Sequence, residues 1–501
     1  MRHRLRDIIA RAAIISAIAG PGTAQDSQVR LDSINGDTRV TGELMGFDDG
    51  VYALKTGFGL FRIPAASVVC SGAACPRPDP EEVTVAVGDR ALLEALAGAL
   101  ADFAASRGTE IAEADLDGSA RRLALHQSGE KVAEITLQHI PALSARAAQD
   151  RVAAGIDIAL VAQPNDGQLR DRVLATDAVV ALVHPDNPVQ AVSPSDLAKV
   201  LDGTISDWSG LGGSEAPIDI VKPAPGTLAA GAVTALIGPA QGDPGAAVPP
   251  GEVAARVAQS PAALGLTVWS ALGDGGRLLG LTGSCGGAVP ATAFTIASGS
   301  YPLRSAITLR GGAADMPDIA RDLAAYLASD EARTRLVGVG GPSAPEVLAL
   351  PLDQQGDYVV RSIVAARDAA ELERIRELFG NIAETRQLST VYRFDSNGVR
   401  GEPEHERLTA ALAGLLSGLD AERTEIVLHG FSDELETSRR RVGLSRARAE
   451  YVRNLIGAAV PDFAQSIRTA GFEDLAPRSC DRGAAGRSLN RRVEVWIGNA
   501  E

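Results

Sequence analysis

The sequence lacks the residue patterns of several protein classes. Its four Cys and six His among 501 residues are too scattered to form a zinc-ligand pattern. Lys and Arg number 48 against 63 Asp and Glu, and the net charge of −15 argues against nucleic acid as a partner, because phosphate binding requires a basic surface. Lysine is scarce, since only Lys55, Lys131, Lys199 and Lys222 occur. We therefore expect neither a metal centre nor a nucleic-acid partner.

Two further absences bear on membrane insertion and on catalysis. Beyond the N-terminus there is no run of about 18 apolar residues, so we expect no transmembrane helix in the mature chain. There is no Gly-x-Ser-x-Gly motif, and no His accompanies a nucleophile elbow. The segment Gly283-Ser284-Cys285-Gly286 superficially suggests a Cys nucleophile, but in an exported chain a disulfide or a buried thiol is the better interpretation. We predict no catalytic residue, no enzyme activity and no cofactor.

The first residues have the three-part plan of a secretory signal peptide. A basic start is followed by a short apolar run, AAIISAIA, and by the small residues Gly22-Thr23-Ala24. This pattern predicts a signal peptide over residues 1–24 and export to the periplasm. Asp7 and Arg11 interrupt it, which leaves a short amphipathic helix as the alternative. No Cys lies near the cleavage point, so a lipid anchor is not supported.

Export permits disulfides. Cys70 and Cys75 are five positions apart around small residues, and we predict that they close a short loop. Cys285 and Cys480 lie in different regions, so they either pair with each other or remain buried thiols.

The length and a composition of 45% apolar residues predict two or three globular domains. Short alternating strands separated by turns such as Asn35-Gly36-Asp37 predict a small β-module over residues 28–76, and the segment PRPDP then forms a linker. Alternating strands and helices over residues 83–341 predict a two-lobed α/β domain with a largely parallel core. Residues 342–388 are interpreted as a linker with a helix, and residues 389–498 as a final α+β domain.

The final domain carries three ordered motifs, which are Gly430-Phe431-Ser432-Asp433 after a strand, Leu444-Ser445-Arg446-Ala447-Arg448-Ala449 at a helix, and Asn490-Arg491-Arg492-Val493 near the end. Ser445 is placed to cap the helix. This constellation resembles the C-terminal domain of the OmpA family over roughly the last 110 residues. The resemblance implies a βαβαβ-type fold that binds the peptide stem of peptidoglycan through meso-diaminopimelate.

The resemblance places the ligand carboxylate of the family on Asp433 and its ligand guanidinium on Arg448, fifteen positions later. Diaminopimelate offers an ammonium and a carboxylate on one carbon, so a carboxylate and an Arg on adjacent elements match both groups. Asn490 and Arg491 are further candidates from the last strand. The alternative is that Asp433 and Arg448 form a structural ion pair.

The sequence departs from the OmpA pattern at three positions. The family His is Phe431, its Thr is Ser432, and the Asn usually found eight residues after the Asp is Arg441. The last change puts a charge where the family has a neutral hydrogen-bonding group. Whether Arg441 abolishes peptidoglycan binding stays open at the level of sequence.

The middle region resembles the phosphate-binding substrate proteins of ABC transporters. The matching segments are Val183-His184-Pro185-Asp186-Asn187-Pro188, Gly203-Thr204-Ile205-Ser206-Asp207-Trp208 and Ser300-Tyr301-Pro302-Leu303. The resemblance spans most of residues 83–341 and implies a two-lobed periplasmic-binding-protein fold. The matched residues are largely structural, so they indicate the fold rather than the ligand.

The ligand loops of this region depart from that family. The loop after the first strand reads Val87-Gly88-Asp89-Arg90, which puts a carboxylate where an oxyanion is expected. The Gly-Ser-Gly-Thr loop of the family is reduced to Ala224-Pro225-Gly226-Thr227, in which Pro225 lacks an N–H. Gly88, Arg90, Gly226 and Thr227 remain the candidate solute-binding residues.

These features favour a non-catalytic binding protein of the cell envelope. The final domain would tether it to peptidoglycan at the wall or outer membrane, and the middle domain would present a cleft to a small anionic solute or to an envelope protein. The alternative is an ABC-transporter receptor for phosphate or another small anion. A third interpretation is an envelope scaffold whose cleft has become a protein interface.

Overall fold

The computed structural model describes most of the chain after residue 26. The described residues are 27–33, 38–48, 50–72, 74–75, 80–115, 120–141, 143–164, 172–239, 246–311, 316–329, 331–332, 336, 347–395, 398–399, 404–433 and 438–499. The predicted signal peptide over 1–24, the predicted turn at 35–37 and residues 76–79 of the first linker lie outside them. The chain divides into two compact units, Met1–Pro80 and Glu81–Glu501.

The first unit is an antiparallel β-module. Its strands are β1 (Gln28–Ser33), β2 (Arg39–Asp48), β3 (Val51–Thr56), β4 (Gly59–Pro64) and β5 (Val68–Ser71), in the sheet order β4-β3-β2-β1-β5. One face buries a small core that includes Val29, Leu31 and Leu54. Cys70 and Cys75 form a disulfide at the end of β5.

The second unit begins with the middle domain, which we define as the described residues from 81 to 336. Its strands are β6 (Glu81–Val87), β7 (Glu110–Asp115), β8 (Ala120–Gln127), β9 (Glu130–His139), β10 (Ile158–Pro164), β11 (Arg172–Val183), β12 (Ala191–Val192), β13 (Asp219–Pro223), β14 (Ala246–Val248), β15 (Ala263–Val268), β16 (Arg277–Leu278), β17 (Gly280–Thr282), β18 (Ala288–Val289) and β19 (Arg304–Gly311). Its helices are α1 (Arg90–Ser106), α2 (Ala145–Ala153), α3 (Pro194–Leu201), α4 (Leu228–Leu236), α5 (Val253–Val257), α6 (Ala293–Ala297) and α7 (Asp318–Leu327).

A continuous sheet runs through both lobes of the middle domain, in the order β14-β13-β15-β11-β19-β10-β6-β9-β8-β7. Strand β11 joins the lobes, since residues 172–178 pair with β19 and residues 179–183 pair with β15. Separate apolar cores lie on the two sides of this junction. The prediction of a largely parallel core is wrong. Strand β6 is parallel to β9 and β10, but β19 is antiparallel to both β10 and β11, because two long strands return through the middle of the sheet.

The C-terminal domain, defined as the described residues from 347 to 499, is built on a second mixed sheet. Its strands are β20 (Ala349–Pro351), β21 (Arg386–Arg393), β22 (Thr424–Gly430), β23 (Ile467–Gly471) and β24 (Arg492–Asn499), in the order β20-β21-β24-β22-β23. Its helices are α8 (Gly356–Val364), α9 (Ala369–Gly380), α10 (Glu404–Leu416), α11 (Ser438–Ala459) and α12 (Ala484–Asn490). Within the described residues no helix is both long enough and apolar enough to cross a bilayer.

The segment predicted as a linker over 342–388 is largely part of the C-terminal domain. Strand β20 pairs with β21, and β21 itself begins at Arg386, before the predicted boundary at 389. Tyr358 on α8 and Leu378 on α9 are buried in one apolar cluster with Trp496 of the sheet. These apolar contacts fix α8 and α9 to the sheet. The charge-rich sequence of this segment led to its interpretation as a linker and did not indicate these contacts.

The helix that carries Arg448 starts earlier than its predicted cap. Helix α11 begins at Ser438, so Ser445 lies inside the helix, is fully buried and does not cap it. The helix packs very closely on the sheet, because a Cβ added at Gly430 would lie 2.0 Å from the carbonyl oxygen of Ser445. A Cβ at Gly471 of β23 would lie 2.7 Å from the Ser445 hydroxyl oxygen. The two glycines therefore set the depth at which α11 presents Arg448.

The middle and C-terminal domains are joined covalently and by hydrogen bonds. Cys285 and Cys480 form a disulfide. Beside it, the N–H of Cys480 donates to the hydroxyl of Ser284 at 2.9 Å. Arg393 of β21 donates to the carbonyl oxygens of Ser298 and Gly299 in the middle domain, at 3.1 and 3.2 Å. The disulfide thus lies at a domain contact that these hydrogen bonds also stabilise.

Removal of this disulfide should lower the stability of the second unit and leave the first unit unchanged. Replacing Cys285 and Cys480 together by Ser should lower the free energy of unfolding of that unit by about 2–4 kcal/mol, because the bond restricts a loop of 195 residues in the unfolded chain. Scanning calorimetry of the oxidised proteins measures the change. The matched control is the Cys70→Ser, Cys75→Ser pair, which should leave the main transition in place. An equal effect of the two pairs on that transition would contradict the account.

Candidate functional site

The predicted peptidoglycan site centres on a buried ion pair. Arg491 Nη1 donates to Asp433 Oδ2 at 2.8 Å, and both side chains are less than a tenth exposed. Arg491 Nε also donates to the carbonyl oxygen of Phe394 at 2.9 Å. The guanidinium therefore ties the start of β24 to the segments that follow β21 and β22. Arg491, which sequence reasoning ranked below Arg448, is thus a partner of Asp433.

Arg448 projects from α11 to the same two segments. Its guanidinium donates to the carbonyl oxygens of Phe431, Asp395 and Gly398 at 3.1–3.2 Å. It also lies over the ring of Phe394, 5.2 Å from the centroid. Arg448 is fully buried, and its guanidinium is held by these main-chain carbonyls. The structure thus brings Asp433, Arg448 and Arg491 together around the ends of β21 and β22.

Asn490 has a different role from the other predicted site residues. Its side-chain oxygen accepts from the N–H groups of Arg478 and Ser479, and its amide donates to the Ser479 carbonyl at 2.7 Å. Asn490 therefore holds the loop that carries Cys480. Arg441 lies in α11, and its side chain falls outside the described residues.

A buried charge cluster lies under this site and was not anticipated from the sequence. Glu494 accepts from Arg478 at 2.6 Å and from Arg492 at 2.7 Å, and it contacts the hydroxyl of Tyr358 at 3.3 Å. Burial alone raises the pKa of Glu494, but the two guanidinium groups outweigh it and lower that pKa to about 2. The sequence signal for this cluster was the alternation of Arg492 and Glu494 with Val493 and Val495, because residues two apart in a strand face the same side of the sheet.

His429 lies in β22 without a polar partner. Neither ring nitrogen has a hydrogen-bond partner among the described residues, and the ring packs edge-on against Phe472 at 4.6 Å between centroids. Burial lowers the pKa of His429 to about 4. The residue is therefore a neutral core group.

The middle domain has a cleft of about 690 Å³ between its lobes. Gly88, Gly226 and Thr227 line it, as predicted for solute-binding residues, whereas Arg90 is exposed and is not among the lining residues. Arg90 is the first residue of α1, and the preceding Asp89 takes the position at the helix end that faces the cleft. The two loops therefore meet at the cleft, but the guanidinium of Arg90 does not line it.

Side chains of the cleft already cap the helices that point toward it. Asp89 Oδ1 accepts from the N–H groups of Ala91 and Leu92 at the start of α1. Thr227 Oγ1 accepts from the N–H of Ala230 at the start of α4 at 3.2 Å. A bound oxyanion would normally accept hydrogen bonds from such N–H groups. Asp89 thus supplies internally the negative charge that a phosphate would bring.

A second carboxylate, Asp177, also lines the cleft. It is 3% exposed and accepts from the hydroxyl of Ser270 at 2.6 Å and from two backbone N–H groups. Burial raises the pKa of Asp177, although these hydrogen bonds lower it. Its oxygens are engaged in joining β11 to the turn after β15, which is a structural role. No group of three or more His, Cys, Asp or Glu side chains suited to a metal ion occurs among the described residues.

Comparison with known proteins identifies the middle domain. Residues 118–331 match the family model described as a PBP superfamily domain, which is less than half of the chain. The domain is therefore PBP-like, and its mixed α/β sheet is consistent with a periplasmic-binding-protein fold. None of the curated proteins matches this sequence.

Solved structures resemble separate parts of the chain. An ABC-type phosphate transport receptor from Vibrio cholerae is 16% identical and covers 52% of this chain and 100% of its own, with a TM-score of 0.40. PstS from Borrelia burgdorferi is 15% identical over 52% of this chain and 97% of its own, with a TM-score of 0.37. The peptidoglycan-associated lipoprotein from Burkholderia pseudomallei is 20% identical over 21% of this chain and 88% of its own, with a TM-score of 0.20.

The buried His429 predicts a defined pH dependence of stability. Between its unfolded pKa of about 6.5 and its folded pKa of about 4, the unfolded chain binds a proton that the folded chain does not, so stability falls as the pH falls. Wild-type protein should lose about 2 kcal/mol from this group between pH 7 and pH 5. His429→Leu should flatten the pH dependence by that amount in urea titrations followed by circular dichroism. Parallel curves for the two proteins would contradict the assignment.

Proposed function

We propose that the chain is an exported, non-catalytic binding protein of the cell envelope. Its C-terminal domain tethers it to peptidoglycan in the periplasm, at the wall or the outer membrane. Its PBP-like middle domain offers a cleft to a small solute or to an envelope protein. The observation that carries the proposal is the convergence of Asp433, Arg448 and Arg491 at the ends of two neighbouring strands.

The chemistry of this site suits the diaminopimelate residue of the peptidoglycan stem. That residue presents an ammonium and a carboxylate on one carbon, and the site presents a carboxylate between two guanidinium groups. Asp433 is held by Arg491, and Arg448 lies at the same strand ends, so the site combines a carboxylate suited to a ligand ammonium with guanidinium groups suited to a ligand carboxylate. The motif resemblance to the OmpA family supports the same assignment on Asp433 and Arg448.

The distribution of perturbed ionisable groups supports a binding rather than a catalytic role. Glu494 and His429 are fully buried inside the C-terminal domain and do not line the cleft. Arg393 is partly buried, and burial together with the nearby Arg304, Arg492 and Arg478 holds its pKa well below the usual range. Strong pKa shifts in such packed networks are typical of structural ion pairs.

The alternative function is a receptor that delivers phosphate or another small anion to an ABC permease. The PBP-like match over residues 118–331 favours it. Asp89 disfavours it, since this carboxylate occupies the helix end at which an anion would bind. Removing Asp89 should therefore be required before inorganic phosphate binds.

Co-sedimentation with purified peptidoglycan tests the tether. Wild-type protein should sediment, and Asp433→Asn and Arg448→Ala should remain in solution, because loss of one partner of a buried charge-assisted contact commonly costs about 2–5 kcal/mol. Arg376→Ala is the matched control, since it removes the same charge from a side chain that is 79% exposed.

Folding of each variant is checked by circular dichroism before sedimentation. Arg448 also binds three main-chain carbonyls, so Arg448→Lys is included as a variant that keeps the charge. Sedimentation of a folded Asp433→Asn protein at the wild-type level would overturn the tether. Loss of sedimentation with Arg376→Ala would show that binding follows net charge rather than this site.

A further inference from the structure

We propose that the interlobe cleft binds a small organic zwitterion with an apolar body, with its ammonium at Asp89 and its carboxylate at Lys222. The inference rests on the proposed role of the middle domain as a binding domain and names the class of ligand. It departs from a phosphate ligand, because the charges that line the cleft have opposite signs and are not paired with each other.

One carboxylate oxygen of Asp89, Oδ2, accepts no hydrogen bond from the residues that the structure describes. The two hydrogen bonds that Asp89 accepts from the start of α1 both go to Oδ1. Oδ2 lies on the cleft side against α4, close enough that a Cβ at Gly231 would come within 3.2 Å of it. No ion pair to Asp89 occurs in the described part of the chain. An oxygen that carries negative charge in this position favours a ligand ammonium and repels an inorganic anion.

Lys222 supplies the opposite charge from β13. The other three lysines each form an ion pair, namely Lys55 with Glu43, Lys131 with Glu134 and Lys199 with Asp196. Lys222 lines the cleft, is half-buried and makes no ion pair with any residue that the structure describes. Among the residues that line the cleft, Lys222 is the cationic one, so it is the group that the cleft presents to a ligand carboxylate.

The remaining polar groups of the cleft do not shift this balance. Asp177 is occupied by Ser270 and by backbone N–H groups. Gln163 is neutral and donates to the hydroxyl of Thr308 at 2.8 Å. The charged groups of the lining that are left for a ligand are therefore one carboxylate oxygen and one ammonium, which match a molecule that carries one charge of each sign.

The size and lining of the cleft indicate an organic ligand. A volume of about 690 Å³ falls in the range of about 300–1,000 Å³ that is typical for sites of small organic molecules. Most of α4 lines it, and that helix, LAAGAVTAL, contains no charged residue. Such a wall provides burial for an apolar side chain and offers a hydrated inorganic anion little to bind.

Isothermal titration calorimetry on the full chain tests the proposal with matched probes. L-leucine and the dipeptide L-alanyl-L-alanine are zwitterions with apolar bodies. Isoamylamine and 4-methylvalerate keep the body of leucine but lose its carboxylate or its ammonium, and sodium phosphate tests the anion alternative. We expect at least one zwitterion to bind about tenfold or more tightly than either single-charge probe, because each lost charge leaves one cleft group unpaired. Phosphate should give no binding heat.

Two variants assign the charges. Asp89→Asn keeps a good helix cap, so the fold should be retained, and it should remove the preference for leucine over 4-methylvalerate. Lys222→Met keeps the aliphatic stem and should remove the preference over isoamylamine. Phosphate binding by wild type, or no binding of either zwitterion at millimolar concentration, would overturn the proposal. Peptidoglycan co-sedimentation is a separate readout, so failure of the tether and failure of the cleft are distinguished.

Discussion

The buried carboxylate of Glu494 is the group on which the C-terminal domain depends. It lies in the central strand β24 and is fully enclosed, so its charge is tolerable only because Arg478 and Arg492 both donate to it. Arg478 comes from the loop before α12, and its guanidinium stacks on the ring of Tyr358 at 3.7 Å. The cluster therefore binds the sheet, α8 and this loop into one core. The cluster contains more guanidinium groups than carboxylates, so main-chain carbonyls accept further hydrogen bonds from the arginines. Arg492, for example, donates to the carbonyl oxygen of Ala476 at 2.8 Å.

This cluster positions two features of the C-terminal domain, which are the Asp433–Arg491 pair and the loop that carries Cys480. On one side, β24 begins immediately after Arg491, so the anchoring of Arg492 and Glu494 sets where Arg491 meets Asp433. On the other side, the loop held by Arg478 and Asn490 carries Cys480, which is bonded to Cys285 of the middle domain. A single electrostatic core thus supports both the proposed peptidoglycan site and the junction with the PBP-like domain. The disulfide therefore fixes the lobe that contains Cys285 to the C-terminal domain.

Sequence reasoning predicted most of the architecture because its signals were local. Alternating strands predicted the β-module, strand–helix alternation predicted an α/β middle domain, and ordered motifs placed Asp433 and Arg448 in one site. The errors arose from tertiary contacts. Ser445 has the chemistry of a cap, yet helix α11 extends to Ser438 and packs Ser445 against Gly430 and Gly471. The pairing of Asp433 with Arg491, 58 positions away, and the enclosure of Glu494 depend on sheet order, which single motifs do not encode.

The most direct test of the central claim is calorimetric titration of free meso-diaminopimelate into the full chain. In a chain that carries Asp89→Asn, which disables the proposed cleft site, we expect saturable one-site binding that disappears when Asp433→Asn is added, with weaker binding of L-lysine, which has both amino groups but lacks the second carboxylate. Binding that persists at the same strength after Asp433→Asn is added, or no binding by an Asp89→Asn protein with native circular dichroism, would contradict the assignment of this site to the peptidoglycan stem.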